Sequence, residues 1–219
     1  VQAGAAPVAA ENADSGSVSF STDRQLMLDL DRANKYIADE RFADAVVMLE
    51  AILRHPTDHF FKPDNEKNYY RSLKSEARRI LGSLPDDGRE QFELHFASTA
   101  ERLLKESLAQ GDLTKLSETA RVYFHTPSGF EATWLFGRSC LDHGQPIAAA
   151  MNFQLLLETP AARDLYEPGL SPLLALAWWR GGQTERALGV LQQLRERSPA
   201  GFRWNNEQVA WHAPTDDAN

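Results

Sequence analysis

One spacing, met four times along 219 residues, constrains this chain more than any other feature. From Ala175 the pattern runs to Trp178 three residues on, Ala187 twelve on, Leu191 sixteen on, Leu194 nineteen on and Pro199 twenty-four on. Starting at Gly137 it gives Cys140, Ala149, Phe153, Leu156 and Pro160, and starting at Ala33 it gives Tyr36, Ala45, Leu49, Ile52 and Pro56, the proline falling one residue earlier in both. A degenerate copy starts at Leu104 and gives Ser107, Leu116, Ala120, Tyr123 and Pro127. Apolar residues three and four apart lie on one face of a helix. Each copy therefore predicts two helices of about twelve to fifteen residues, joined by the turns "DERF", "QGDL", "DHGQ" and "RGGQ" and packed antiparallel. A small residue on the first helix and an alanine on the second sit where the helices cross and let the backbones approach. The closing proline ends the second helix. One such hairpin cannot bury its apolar face alone, so the copies must stack.

This spacing resembles the tetratricopeptide repeat, a helix–turn–helix unit of about 34 residues. The resemblance implies an all-α fold, an α-solenoid of stacked hairpins wound as a right-handed superhelix. Residues 57–103 do not fit the spacing. They read as two further helices, "RSLKSEARRILGSL" and "REQFELHFASTAERLLKESLAQ", separated by the turn "PDDG", with Ser72 at the start of the first. The stretch 55–70 has no helical period and reads as an ordered, aromatic-rich connection. No segment shows sustained strand alternation. The organisation expected is an Ala/Gly/Ser-rich disordered arm over 1–22, a solenoid over 23–198, and a C-terminal tail or linker over 199–219.

Composition removes several classes of function. A net charge of −8 argues against general nucleic-acid binding, and the basic cluster "KSEARR" at 74–79 reads as a solvated helix face. No run of eighteen apolar residues occurs, so no membrane-spanning segment is expected. One cysteine, Cys140, excludes an intramolecular disulfide, and its slot in the repeat, shared with Tyr36 and Trp178, makes it a small core hydrophobe. His55 and His59 stand four apart, but Pro56 denies them the helix that would face both rings one way, so they read as loop and helix-end polar residues. His125 is expected to cap carbonyls in the last turn of a helix, and His95 and His143 to be single surface or boundary residues. "GGQTER" lacks the lysine of a phosphate-binding loop. No catalytic, cofactor or metal site is read from these residues.

A repeat protein offers a groove instead. The first helices are expected to line a concave face, with Asn34 and Leu30, Arg138 and Trp134, Leu176 and Pro172, then Trp179 and Arg180 pointing into it. Asn34, Trp134, Arg138, Trp179 and Arg180 are the candidate peptide-binding residues. An exposed tryptophan with two arginines suits an acidic or carboxylate-bearing peptide. The competing reading packs Trp134 and Trp179 against the next hairpin.

Longer stretches carry a second resemblance. "HFFKPD", "SLKSEARRILGSLPDDGREQFE", "YFHTPSGFEATWLFGRSCLDHGQPIAAAMNF" and "ALAWWRGGQTERAL", spanning roughly 24–197, resemble the N-terminal helical region of planctomycete proteins that carry a C-terminal β-propeller of the pyrroloquinoline-quinone-binding-like type. That resemblance implies an exported, periplasmic or cell-envelope protein in which the solenoid serves as an interaction or scaffold module for a protein or peptide partner. The alternatives are a spacer positioning a propeller, and an enzyme or ligand-binding domain, which would need a closed pocket with convergent polar groups. No propeller repeat occurs in these residues, and no quinone or other cofactor residue is carried over.

Overall fold

The computed structural model describes residues 23–62, 70–204 and 207–211, so the 1–22 arm lies outside the described residues. The chain is all-α: ten helices, with two short β-hairpins between and after them, among the described residues. The helices are α1 (Arg24–Ala38), α2 (Phe42–Arg54), α3 (Leu73–Gly82), α4 (Asp86–Gln110), α5 (Leu113–Val122), α6 (Pro127–Asp142), α7 (Pro146–Glu158), α8 (Pro160–Tyr166), α9 (Leu170–Arg180) and α10 (Thr184–Arg197). The four repeats become the hairpins α1–α2, the C-terminal part of α4 with α5, α6–α7 and α9–α10, stacked in series.

The crossings follow the spacing. Ala33, Ala45, Gly137, Ala149, Ala175 and Ala187 are all buried. A Cβ added at Gly137 would stand 2.6 Å from the Phe153 ring, so the close approach of α6 and α7 depends on the missing side chain.

All four turns share one backbone device. Each contains one residue at positive φ: Glu40 at 57°, Gly111 at 63°, Gly144 at 72° and Gly182 at 73°. The next N–H reaches back five residues to the repeat's interior slot: Arg41 to the Tyr36 carbonyl (2.8 Å), Asp112 to Ser107 (2.9 Å), Gln145 to Cys140 (2.8 Å) and Gln183 to Trp178 (2.8 Å). These are Schellman closures, which satisfy the carbonyls a helix end leaves over. Glu40 is the one member with a side chain in the left-handed region among the four.

The structure departs from the sequence reading in three places. "PDDG" is not a separating turn: Pro85 is the N-cap of α4, and Asp86, Asp87 and Gly88 form its first turn, where the two carboxylates favour the helix dipole. The connection after α2 contains a β-ribbon, β1 (Phe60–Phe61) paired antiparallel with β2 (Arg71–Ser72). The tail forms a second ribbon, β3 (Phe202–Trp204) with β4 (Glu207–Val209). Strands this short carry no alternation for a sequence pattern to show.

Two cores result, with a smaller cluster of Leu104, Leu116, Ala120 and Ala132 between them. One gathers residues of α1–α4 and α5, the other residues of α6–α10. Adjacent residues Tyr123 and Phe124 belong to different cores, so the link after α5 pins the two together. Tyr123 donates to Glu50 Oε1 of α2 at 2.9 Å, and burial together with that carboxylate pushes its phenol up. Phe124 meets Phe130 edge-on at 5.3 Å.

Candidate docking faces of the helical stack

The repeat positions allow each hairpin to be compared with its neighbour. In α1–α2 the outer residues Leu30, Val46 and Leu49 are buried, with α3 and α4 packed on α2. In α6–α7 Leu141, Ala150 and Phe153 are buried, the last two in the slots of Val46 and Leu49, with α8 and α9 packed on α7. In α9–α10 Trp179 takes the slot of Leu141, and Leu188 and Leu191 those of Ala150 and Phe153, with Pro172 and Leu176 beside them. Here Trp179 and Leu188 are each 61% exposed. With Ala175, Thr184 and Ala187 these residues line a shallow groove of about 270 Å³. Among the described residues the tail does not cover it. Trp211 Nε1 donates to the Ser198 carbonyl at 2.7 Å and the Trp211 ring meets Phe202 at 5.4 Å, which seats the tail ribbon beyond the end of α10.

A second and larger groove, about 630 Å³, runs between α5, α7 and α10. Its base is apolar, with Phe136, Leu155 and Trp178, and exposed Met151 joins Arg78, Arg121, Arg186 and Glu158 around its rim. Arg186 lies over the Trp178 ring at 4.8 Å, a cation–π contact that holds the guanidinium at the rim. Arg78 is half-buried, and its Nε has no hydrogen-bond partner among the described residues. Burial, with the Arg121 guanidinium beside it, holds Arg78 below its usual range. The expectation that 74–79 is wholly solvated therefore fails at Arg78, because α3 turns that face against α5. Such a rim accepts carboxylates, and such a base accepts apolar side chains.

Of the five candidate residues, only Trp179 lines one of these two grooves. Asn34, Arg138, Trp179 and Arg180 are exposed on three separate helices. Trp134 is partly buried, stacked on Tyr166 at 5.0 Å and 18° and tilted against Phe153 at 5.5 Å. It packs on α8 instead of facing a ligand. Leu30, expected in the groove, is buried in the first core. Sequence reasoning missed the rim arginines Arg78, Arg121 and Arg186, which lie on second helices or outside the regular repeat.

The remaining polar groups fall into place. Cys140 is buried, and burial pushes its thiol up, which suppresses thiolate formation. His125 does not cap a helix end. It follows α5 in the link to α6, meets Phe124 edge-on at 5.0 Å, and its Nε2 lacks a hydrogen-bond partner among the described residues. Burial, with Arg78 and Arg89 nearby, lowers it to about 4. His95 and His143 are exposed, each with its ring bonded to a carbonyl of the preceding helical turn. His55 and His59, separated by Pro56, nevertheless come together with Asp23: their ligand atoms lie within 4.8 Å of one another.

Fold and faces together define an all-α protein of stacked tetratricopeptide-like hairpins whose last outer face is uncovered among the described residues. No family model matches the chain, and no curated protein matches it. Among solved structures it is similar to MamA AMB-1 (17% identity, TM-score 0.36, 81% of this chain and 93% of that one) and MamA MSR-1 (19% identity, TM-score 0.33, 80% of this chain and 99% of that one). Likeness at this level adds no weight to the hairpin geometry, on which the fold assignment stands.

Proposed function

We propose that the chain is a non-catalytic protein-interaction or scaffold module. The observation that carries this reading is the outer face of α9–α10, which exposes the apolar slots that earlier hairpins bury under their successors. Repeat stacks without a polar terminal face gain stability by covering it. Trp179 and Leu188 supply the large anchors that dominate such contacts, and Arg180 beside them suits a carboxylate on the incoming segment. The expected occupant is a protein segment with an apolar helical stripe and an acidic flank. A closed pocket with convergent polar groups, which a ligand-binding or enzymatic domain would need, is not what these open grooves offer.

The wider setting is proposed on sequence resemblance alone. In that setting the module precedes a quinone-binding-like β-propeller in an exported protein of planctomycete type. It would then also act as a spacer.

The test compares wild type with Trp179→Ala/Leu188→Ser in capture from extracts of the source organism, with Leu28→Ser at the opposite end as control. Circular dichroism establishes that each variant is folded. A protein held by wild type and the control, and lost by the double variant, supports the reading. Equal capture by all three overturns it.

A further inference from the structure

We propose that Asp23, His55 and His59 form a binding site for a divalent transition metal ion, with Zn²⁺ as the best match. The three residues come from the start of α1, the end of α2 and the loop that follows, and no pair of them shares a helix. An antiparallel hairpin must place the beginning of its first helix beside the end of its second. That geometry brings Asp23 to His55 across 32 residues of chain, and the turn at Pro56 folds His59 back onto them. One ligand atom from each residue lies within 4.8 Å of the others, and the two imidazole centroids are 5.2 Å apart with a 55° tilt. Around a single Zn²⁺ at Zn–N and Zn–O of about 2.0–2.2 Å, tetrahedral ligand atoms stand about 3.3 Å apart. Side-chain rotation of an ångström or so closes that gap.

Asp23 and His55 can bind without giving up their present work. Asp23 caps α1, and both cap bonds, from the Gln25 N–H at 2.8 Å and the Leu26 N–H at 3.2 Å, land on Oδ1. Oδ2 can therefore turn to a cation while the cap stays. His55 Nδ1 sits 2.9 Å from the Thr57 carbonyl. That contact selects the tautomer protonated at Nδ1 and presents Nε2 as the lone-pair donor, the outer-shell arrangement usual for a ligating histidine. His59 is buried, and its carbonyl accepts from the Leu73 N–H at 2.8 Å.

The loop carrying the histidines is held from both sides. Asp58, between them and α3, accepts from the Ser72 hydroxyl at 2.6 Å and the Lys74 N–H at 3.3 Å. The Lys74 ammonium bonds the His55 carbonyl, fixing the end of α2. The first ligand shell thus rests on a supported frame, as a metal site requires. Two imidazoles and one carboxylate suit Zn²⁺ with water in the remaining position, and disfavour Ca²⁺ or Mg²⁺, which prefer oxygen. Bound there, the ion would tie together α1, α2 and the loop into α3 at the open end of the first hairpin.

The experiment is a titration of the metal-free full chain with Zn²⁺ by calorimetry, and with Co²⁺ by absorption. The variants are Asp23→Asn, which keeps an equally good helix cap, His55→Gln, and the control His95→Gln. The expected result is one Zn²⁺ per chain, an intense visible Co²⁺ spectrum of low coordination number, and a rise in thermal midpoint on adding Zn²⁺. Asp23→Asn and His55→Gln, both folded by circular dichroism, should weaken Zn²⁺ by more than about tenfold, while His95→Gln binds as wild type does. Failure of wild type to bind, a pale octahedral Co²⁺ spectrum, or unchanged binding in both ligand variants overturns the site.

Discussion

The first and last hairpins are built to the same plan and end in opposite conditions. Both cross at paired alanines, Ala33 with Ala45 and Ala175 with Ala187, and both close with the same Schellman turn. In the first, Val46 and Leu49 are fully buried because two further helices lie on them. In the last, Leu188 and Trp179 face outward. The other end of the stack is more polar, with Arg32 and Lys35 exposed on the outside of α1. Among the described residues the stack thus has one end finished mostly in charge and one left apolar. Identical local sequence logic yields a core in one place and a docking face in another, and position in the stack alone makes the difference.

The largest test of this contrast places a charge at equivalent slots. Val46→Asp buries an unpaired carboxylate and should cost about 4 kcal/mol or prevent folding. Leu188→Asp should stay within about 0.5 kcal/mol of wild type, since its side chain already meets water. Denaturant unfolding measures both, and a comparable loss in the two variants would mean that the last hairpin is covered.

The joint between the two regions should show itself in pH. His125 titrates near 6.5 when unfolded and at about 4 when folded. Between those values acid protonates the unfolded chain first, so stability falls as pH drops through this window and levels off below it. The contribution is up to about 3 kcal/mol, and His125→Gln should flatten that part of the stability–pH curve. A profile unchanged in the variant would remove His125 as the cause.

The smallest effect lies in the turns. Glu40→Gly relieves a side chain at φ 57° and should stabilise the first hairpin by about 0.5–1 kcal/mol. Gly182→Ala at φ 73° should destabilise the last by a similar amount. Opposite signs in thermal midpoint confirm that both turns use one conformation.

Much of this was legible in the residues. The crossings, the turns and the interior slots of Tyr36, Ser107, Cys140 and Trp178 follow from period and residue size, because hairpin packing is local. What escaped was non-local or aperiodic. The 25-residue α4 runs through "DDG" because Pro85 starts a helix there instead of ending one. Trp134 packs on Tyr166 because α8 intervenes before the next repeat, and α8 carries no repeat signature. Arg78 and His125 are drawn inward by contacts between α3 and the α5–α6 link, over 40 residues apart in sequence. For Asp23, His55 and His59 a signal did exist: polar ligands immediately before α1 and after α2 must meet when the hairpin closes. That signal lies between the two ends of a hairpin and not in spacing along one helix.

By itself the sequence determined that the chain builds helical hairpins, where each one crosses, and how it turns. Those features depend on residues within about 25 positions of each other and on the fixed pitch of a helix. Only the tertiary structure decided which apolar faces are covered, which arginines line a groove and which polar side chains converge, because each of these depends on what the next element in the stack happens to bury.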